Sequence, residues 1–146
     1  MKQLKIAALI AFATATVSAQ DLSLDQVPSN LKTKFSQSYT NVKDVEWEKK
    51  DSYYKVEFEI NRLDHDIWYD SEGKVVKSKI EVASSELPSA VASTVKNTYP
   101  DYKIDSAEVL VNNGTTTYKV EIEKGWTKER NLIIDASGKI ISDIED

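Results

Sequence analysis

The sequence predicts an α+β protein built as two tandem repeats, each of one helix packed on a four-stranded antiparallel meander. Three observations carry this. Tyr54-Lys55-Val56-Glu57-Phe58-Glu59-Ile60 returns as Tyr118-Lys119-Val120-Glu121-Ile122-Glu123, 64 positions later. Its surroundings return in the same order: Pro28 and Tyr39 as Pro88 and Tyr99 (60 on), and Asp70-x-x-Gly73-Lys74 as Asp135-x-x-Gly138-Lys139 (65 on). Offsets that drift so little are the mark of a duplication with small loop insertions. In both copies the apolar period also changes from four residues to two, the passage from helix to strand.

The chain divides into 1–19, 20–82 and 83–146. Lys2 and Lys5 precede an apolar run from Ile6 to Val17, and Val17-Ser18-Ala19 ends it with small residues. This is the pattern of a secretory signal peptide cut after Ala19. The run is shorter than the roughly 20 apolar residues a membrane-spanning helix needs. Cleavage removes two lysines and no acid, so the formal charge moves from −5 to −7. An acidic exported protein repels nucleic-acid phosphates, so no nucleic-acid partner is expected. Zero cysteines exclude disulfides, thiolate metal sites and a cysteine nucleophile.

In the first repeat, Asp21 to Gln26 reads as a polar lead-in. Pro28 opens a helix, where its missing N–H costs nothing. Val27, Leu31, Phe35 and Tyr39 give that helix one apolar stripe. Val42–Lys49 alternates with Val45 and Trp47 on one side, and Lys50-Asp51-Ser52 turns the chain. Tyr54, Val56, Phe58 and Ile60 then point one way while Tyr53, Lys55, Glu57 and Glu59 point the other. Asn61-Arg62 is a two-residue hairpin candidate. Leu63 to Asp70 returns, Asp70-x-x-Gly73 turns through its aspartate and glycine, and Lys74 to Val82 completes the meander. The second repeat runs the same programme. Leu87, Val91, Val95 and Tyr99 form the helix stripe, strands follow at 104–111, 115–123, 127–135 and 139–144, and Lys124-Gly125-Trp126 is a three-residue loop.

Proline at the helix start, an aromatic at its end, Trp47 on the first strand, Tyr-Lys-Val-Glu on the second and Asp-x-x-Gly before the fourth resemble the PepSY-like family of small exported bacterial proteins. That family is in turn similar to beta-lactamase-inhibitor proteins. The resemblance spans residues 27–146. It implies a periplasmic or secreted binding or inhibitory module, not an enzyme, and brings no catalytic residues with it. The second repeat departs from the pattern, with Val109 and Val111 on its first strand where the first has tryptophan.

With the two-residue turn at Asn61-Arg62, Phe58 faces His65, Val56 faces Ile67 and Tyr54 faces Tyr69 under the helix. On the other side Glu59 faces Asp64, Glu57 faces Asp66, Lys55 faces Trp68 and Tyr53 faces Asp70. Two like-charged pairs in a row make Glu57, Glu59, Asp64 and Asp66 an acidic patch, suited to a cationic partner or to calcium, which takes six to eight oxygens; a solvated sheet face is the plainer reading. Trp68 sits among polar neighbours and Trp126 at a loop tip, places where large rings anchor partners. Tyr53, Lys55, Trp68 and Trp126 are therefore the candidate partner-binding residues, for a protein or peptide of the cell envelope. His65, the single histidine, reads as structural, with Arg130 as its counterpart. No phosphate loop, nucleophile elbow or zinc motif occurs. Neither a metal nor a cofactor is expected, and an exported small-ligand or calcium carrier is the alternative function.

Overall fold

A computed structural model describes residues 20–146, so the predicted signal segment, 1–19, lies outside the described residues. The elements run β1 (Gln20–Leu22), α1 (Ser29–Ser38), β2 (Lys43–Lys50), β3 (Tyr53–Ile60), β4 (Leu63–Tyr69), β5 (Val75–Glu81), α2 (Ser89–Thr98), β6 (Lys103–Asn112), β7 (Thr115–Lys124), β8 (Lys128–Asp135) and β9 (Ile140–Glu145). The fold is α+β. All nine strands form one antiparallel sheet in chain order, each paired with the next. Both helices lie on the same face, because register carries the α1 side (Phe58, His65, Ile80) through Val109 and Tyr118 to Ile134 on the α2 side. Among the described residues the other face carries no helix.

Each helix stripe does what its spacing requires. Val27, Leu31 and Phe35 are buried against Trp47, Val56, Phe58, Ile67 and Tyr69, and Tyr39 closes the end. Leu87, Val91 and Val95 are buried against Ala107, Val120, Ile122, Leu132 and Ile134. The first cluster is aromatic: Phe35 meets Trp47 and Phe58 edge-on, with ring centroids 5.6 and 5.0 Å apart. The second is aliphatic. Register shows that the counterpart of Trp47, which faces Val56, is Ala107, which faces Val120. The valines at 109 and 111 lie farther along the strand.

Asn61 and Arg62 both have positive φ (55° and 68°), the backbone of a primed hairpin turn. The predicted register follows from Tyr54↔Tyr69 to Glu59↔Asp64. Tyr53, however, pairs with Lys50 and has no partner on β4, which ends at Tyr69. The Asp turns form as expected. Asp70 Oδ1 accepts the N–H groups of Glu72 and Lys74, and Asp135 Oδ1 accepts those of Ser137 and Lys139, all at 2.9–3.0 Å.

Other expectations need correction. The polar lead-in contains β1, which pairs with Lys49, Glu48 and Trp47 of β2. Pro28 caps α1 from outside instead of sitting in its first turn. A bulge at Asp44, whose φ is 49°, breaks the alternation that put Val45 with Trp47, and Val45 is exposed. The second hairpin has three loop residues, but they are Gly125–Thr127, with Lys124 paired to Lys128.

Candidate functional site

The helix-free face is where the sequence put its candidate residues, and the hairpin turn fixes their order. Lys55 lies opposite Trp68, Glu57 opposite Asp66 and Glu59 opposite Asp64. Strand β5 then adds two cations in register, Lys77 beside Trp68 and Lys79 beside Asp66. Trp68 is half-buried between two ammonium groups, with Lys77 Nζ 4.5 Å and Lys55 Nζ 5.3 Å from its ring centroid. Tyr53, 44% exposed, joins Trp68, Val76, Lys77, Asn112 and Asn113 around an open groove of about 160 Å³.

So three of the four partner-binding candidates come together. Trp126 does not. Strands β3 and β7 run in the same direction, which puts the Trp126 loop at the end of the sheet marked by Asn61-Arg62, away from Tyr53 and Trp68. Its side chain is fully exposed, and the adjacent Lys124 is held by Asp101 at 2.9 Å.

The four acids have unequal surroundings. Asp66 is 7% exposed, with Lys79 at 3.1 Å and Lys55 at 3.6 Å. Glu57 is bonded to Lys55. Glu59 and Asp64 stand at the rim of a depression of about 420 Å³, also lined by Asp44 and Glu46. Among the described residues no group of three or more His, Asp or Glu side chains is placed to hold a metal ion.

The pairing continues across the junction of the two halves. Lys79 reaches Glu108 at 3.7 Å, Lys119 reaches Glu108 at 3.8 Å and Glu121 at 2.6 Å, and Ser106 Oγ donates to Glu121 at 2.8 Å. A row of alternating charge thus crosses β3 to β7. Burial opposes the charge on Lys79, but hydrogen bonds and charges from Asp66 and Glu108 outweigh it and raise its pKa. The hydrogen bond from Lys119, seconded by Ser106, lowers the pKa of Glu121. Lys77, Lys79 and Glu108 were missed as site residues. The signal for the two lysines was Lys77-x-Lys79-x-Glu81, which puts charges of both signs on one side of a strand following an Asp-x-x-Gly turn; Glu108, on another strand, had none.

On the helix side, His65 stacks on Phe58 with centroids 5.1 Å apart, and its Nδ1 lies 2.9 Å from the Leu63 carbonyl oxygen. Its counterpart Arg130 holds Asp143 and Glu145 at 2.8 Å each. The helix-free face therefore offers fixed amines and carboxylates around one aromatic groove. Such an arrangement suits holding a ligand.

The fold has solved relatives in Bacteroides. A DUF2874 family protein from Bacteroides uniformis is 19% identical with a TM-score of 0.65, covering 82% of this chain and 89% of its own. A BLIP-like protein from Bacteroides fragilis is 21% identical with a TM-score of 0.61, covering 81% and 85%. A protein from Bacteroides eggerthii described as periplasmic is 14% identical with a TM-score of 0.66, covering 82% and 88%. At these identities the likeness is one of fold. No match was found among curated proteins. The family model described as "Putative beta-lactamase-inhibitor-like, PepSY-like" matches residues 14–77 and again residues 52–142. The chain belongs to this PepSY-like family.

Proposed function

We propose that this protein is an exported, non-enzymatic binding module that binds or inhibits a protein or peptide of the cell envelope. The contact surface is the helix-free face, with the Tyr53–Trp68 groove at one end of it. The observation that carries this reading is the groove itself: a half-buried tryptophan and an exposed tyrosine beside Lys55 and Lys77 on the helix-free face. Aromatic anchors ringed by charge are where binding energy concentrates. Membership in a family described as beta-lactamase-inhibitor-like and likeness to a BLIP-like protein agree with it. Export rests on the signal pattern of residues 1–19 and on the periplasmic description of a structural relative. Among the described residues no helix is long and apolar enough to cross a membrane.

In the same reading, 20–82 and 83–146 are tandem copies. Two findings support this. The family model matches twice. Bulges also recur at equivalent places, Asp44 and Asp105 in the first long strand of each half and Val76 and Ile141 in the last. Trp126 is a second contact, reached only by a partner that spans the sheet from end to end.

The test is affinity capture from the source organism's envelope extract, with the protein freed of residues 1–19 as bait. A partner held by the native bait should be retained at least tenfold less by a folded Tyr53→Ala/Trp68→Ala variant, and Trp126→Ala alone tests the second contact. Equal retention by all three baits would remove the groove from the interface.

A further inference from the structure

Among the described residues the sheet is open, with β1 (Gln20–Leu22) at one edge and β9 at the other. Strand β9 offers six residues, Ile140–Glu145, and among the described residues one side of its backbone is unpaired. It carries neither lysine nor proline, and its Ile141 and Ile144 are 57% and 58% exposed.

The protein contains a template for what such an edge accepts. Strand β5 occupies in the first half the place that β9 occupies in the second. Each pairs back on the strand before it (Trp68↔Lys77, Ile133↔Ser142), and each bulges one residue earlier, at Val76 and at Ile141. In β5 the far edge is not free: Lys77–Glu81 pairs with Asn112–Glu108 of β6. The bulge therefore does not prevent pairing from the residue after it onward. The equivalent stretch of β9 begins at Ser142.

Charge selects the occupant. Asp143 and Glu145 point to the helix side and share one cation, Arg130. Ile144 points to the helix-free side, opposite Asn131. Symmetric pairing of two β9 edges would set Asp143 opposite Asp143 or Glu145, and like charges directly opposite destabilise a sheet. A second copy is thereby disfavoured, whereas a basic strand is attracted.

We propose that the free edge of β9 docks an extended segment of another protein as a tenth antiparallel strand, with basic side chains towards Asp143 and Glu145 and apolar ones towards Ile144. Backbone hydrogen bonds supply the affinity and the alternating side chains the selection, as in other strand-addition complexes. This surface is separate from the Tyr53–Trp68 groove and stands or falls independently of it.

The test uses a blocked seven-residue peptide alternating lysine and valine, and a second with the same number of lysines but a central proline, which cannot pair as a strand. The alternating peptide should bind at least tenfold more tightly than the proline peptide at low salt. It should slow amide exchange in β9 but not in β1, and lose at least tenfold in affinity with Ile144→Lys. Trp68→Ala should leave its affinity within twofold. Three results overturn the proposal: equal binding of both peptides, which reduces the effect to net charge; protection mapping elsewhere; and no response to Ile144→Lys. Sedimentation showing a dimer that Ile144→Lys dissolves would overturn it in favour of self-pairing.

Discussion

Replacing Lys79 with alanine tests whether the charged row on the helix-free face holds the two halves of the sheet together. Lys79 is the one side chain in that row bonded to an acid in each half, to Asp66 at 3.1 Å and to Glu108 at 3.7 Å. Asp66 is 7% exposed, so losing its nearest cation leaves a carboxylate largely shut away from water. Removing one partner of a fully buried pair costs about 3–5 kcal/mol. Here the Lys79 side chain is 37% exposed and Lys55 remains 3.6 Å from Asp66, which reduces the expected loss. A cost of about 2 kcal/mol is expected, since solvent-exposed pairs contribute only about 0–1. For a domain of this size that lowers Tm by about 8 °C. The assay is urea unfolding of Lys79→Ala, Asp66→Asn and the double variant. In the Asp66→Asn background the lysine should be worth less than about 0.5 kcal/mol, because the charge it neutralises is gone. Equal costs in both backgrounds would refute the reasoning.

Tyr69 carries an alkaline signature. Burial, and secondarily Tyr39, push its pKa up to about 12. An unfolded phenol ionises near pH ~10, so the unfolded chain gives up its proton first. Stability from this group is complete below about pH 10 and falls between 10 and 12 by about 1.4 kcal/mol per pH unit. Phenolate absorbance together with unfolding curves should show the loss in the native protein but not in Tyr69→Phe. Gly138→Ala should destabilise by about 2–3 kcal/mol, since positive φ is strained for alanine and rigid backbone stands in the way; its φ is 90° and a Cβ would lie 2.8 Å from the Ala90 carbonyl oxygen. Gly73→Ala, which meets the flexible Lys34 chain instead, should cost about half that, and thermal melts that reverse the order would contradict the packing argument. Arg62→Gly should gain about 0.5 kcal/mol by relieving a left-handed residue, which a higher urea midpoint at unchanged slope would register.

Much of the fold was legible because period and turn chemistry are local. The Tyr54–Ile60 alternation and the two-residue turn fixed the β3–β4 register, and with it the opposition of Lys55 to Trp68 and Glu57 to Asp66. The stripes at Leu31 and Val91 fixed which helix face is buried. What escaped depends on partners remote in sequence. The Gln20–Leu22 segment shows no alternation and is a strand only because β2 is there to pair with it. The bulge at Asp44 shifts Val45 off the core side without changing its residue type. The charged row was hidden for the same reason: Lys79 gains its meaning from Glu108, across a strand pairing that no short-range pattern announces. Tyr53 was set against Asp70 because alternation alone does not say where a strand ends.

Strict chain-order pairing also bears on how the protein folds. Among the described residues every strand finds its neighbour next in sequence, and the only detours are the two ten-residue helices with their short connections. Loops that must close are therefore short, and the entropy of closing them is small. Sheets of this size are usually slow to fold because distant segments must meet before anything is gained. Here a first hairpin can form and each later strand add to a finished edge, so folding should be fast for a β-rich chain. The junction at β5–β6 should be where a half-formed molecule pauses.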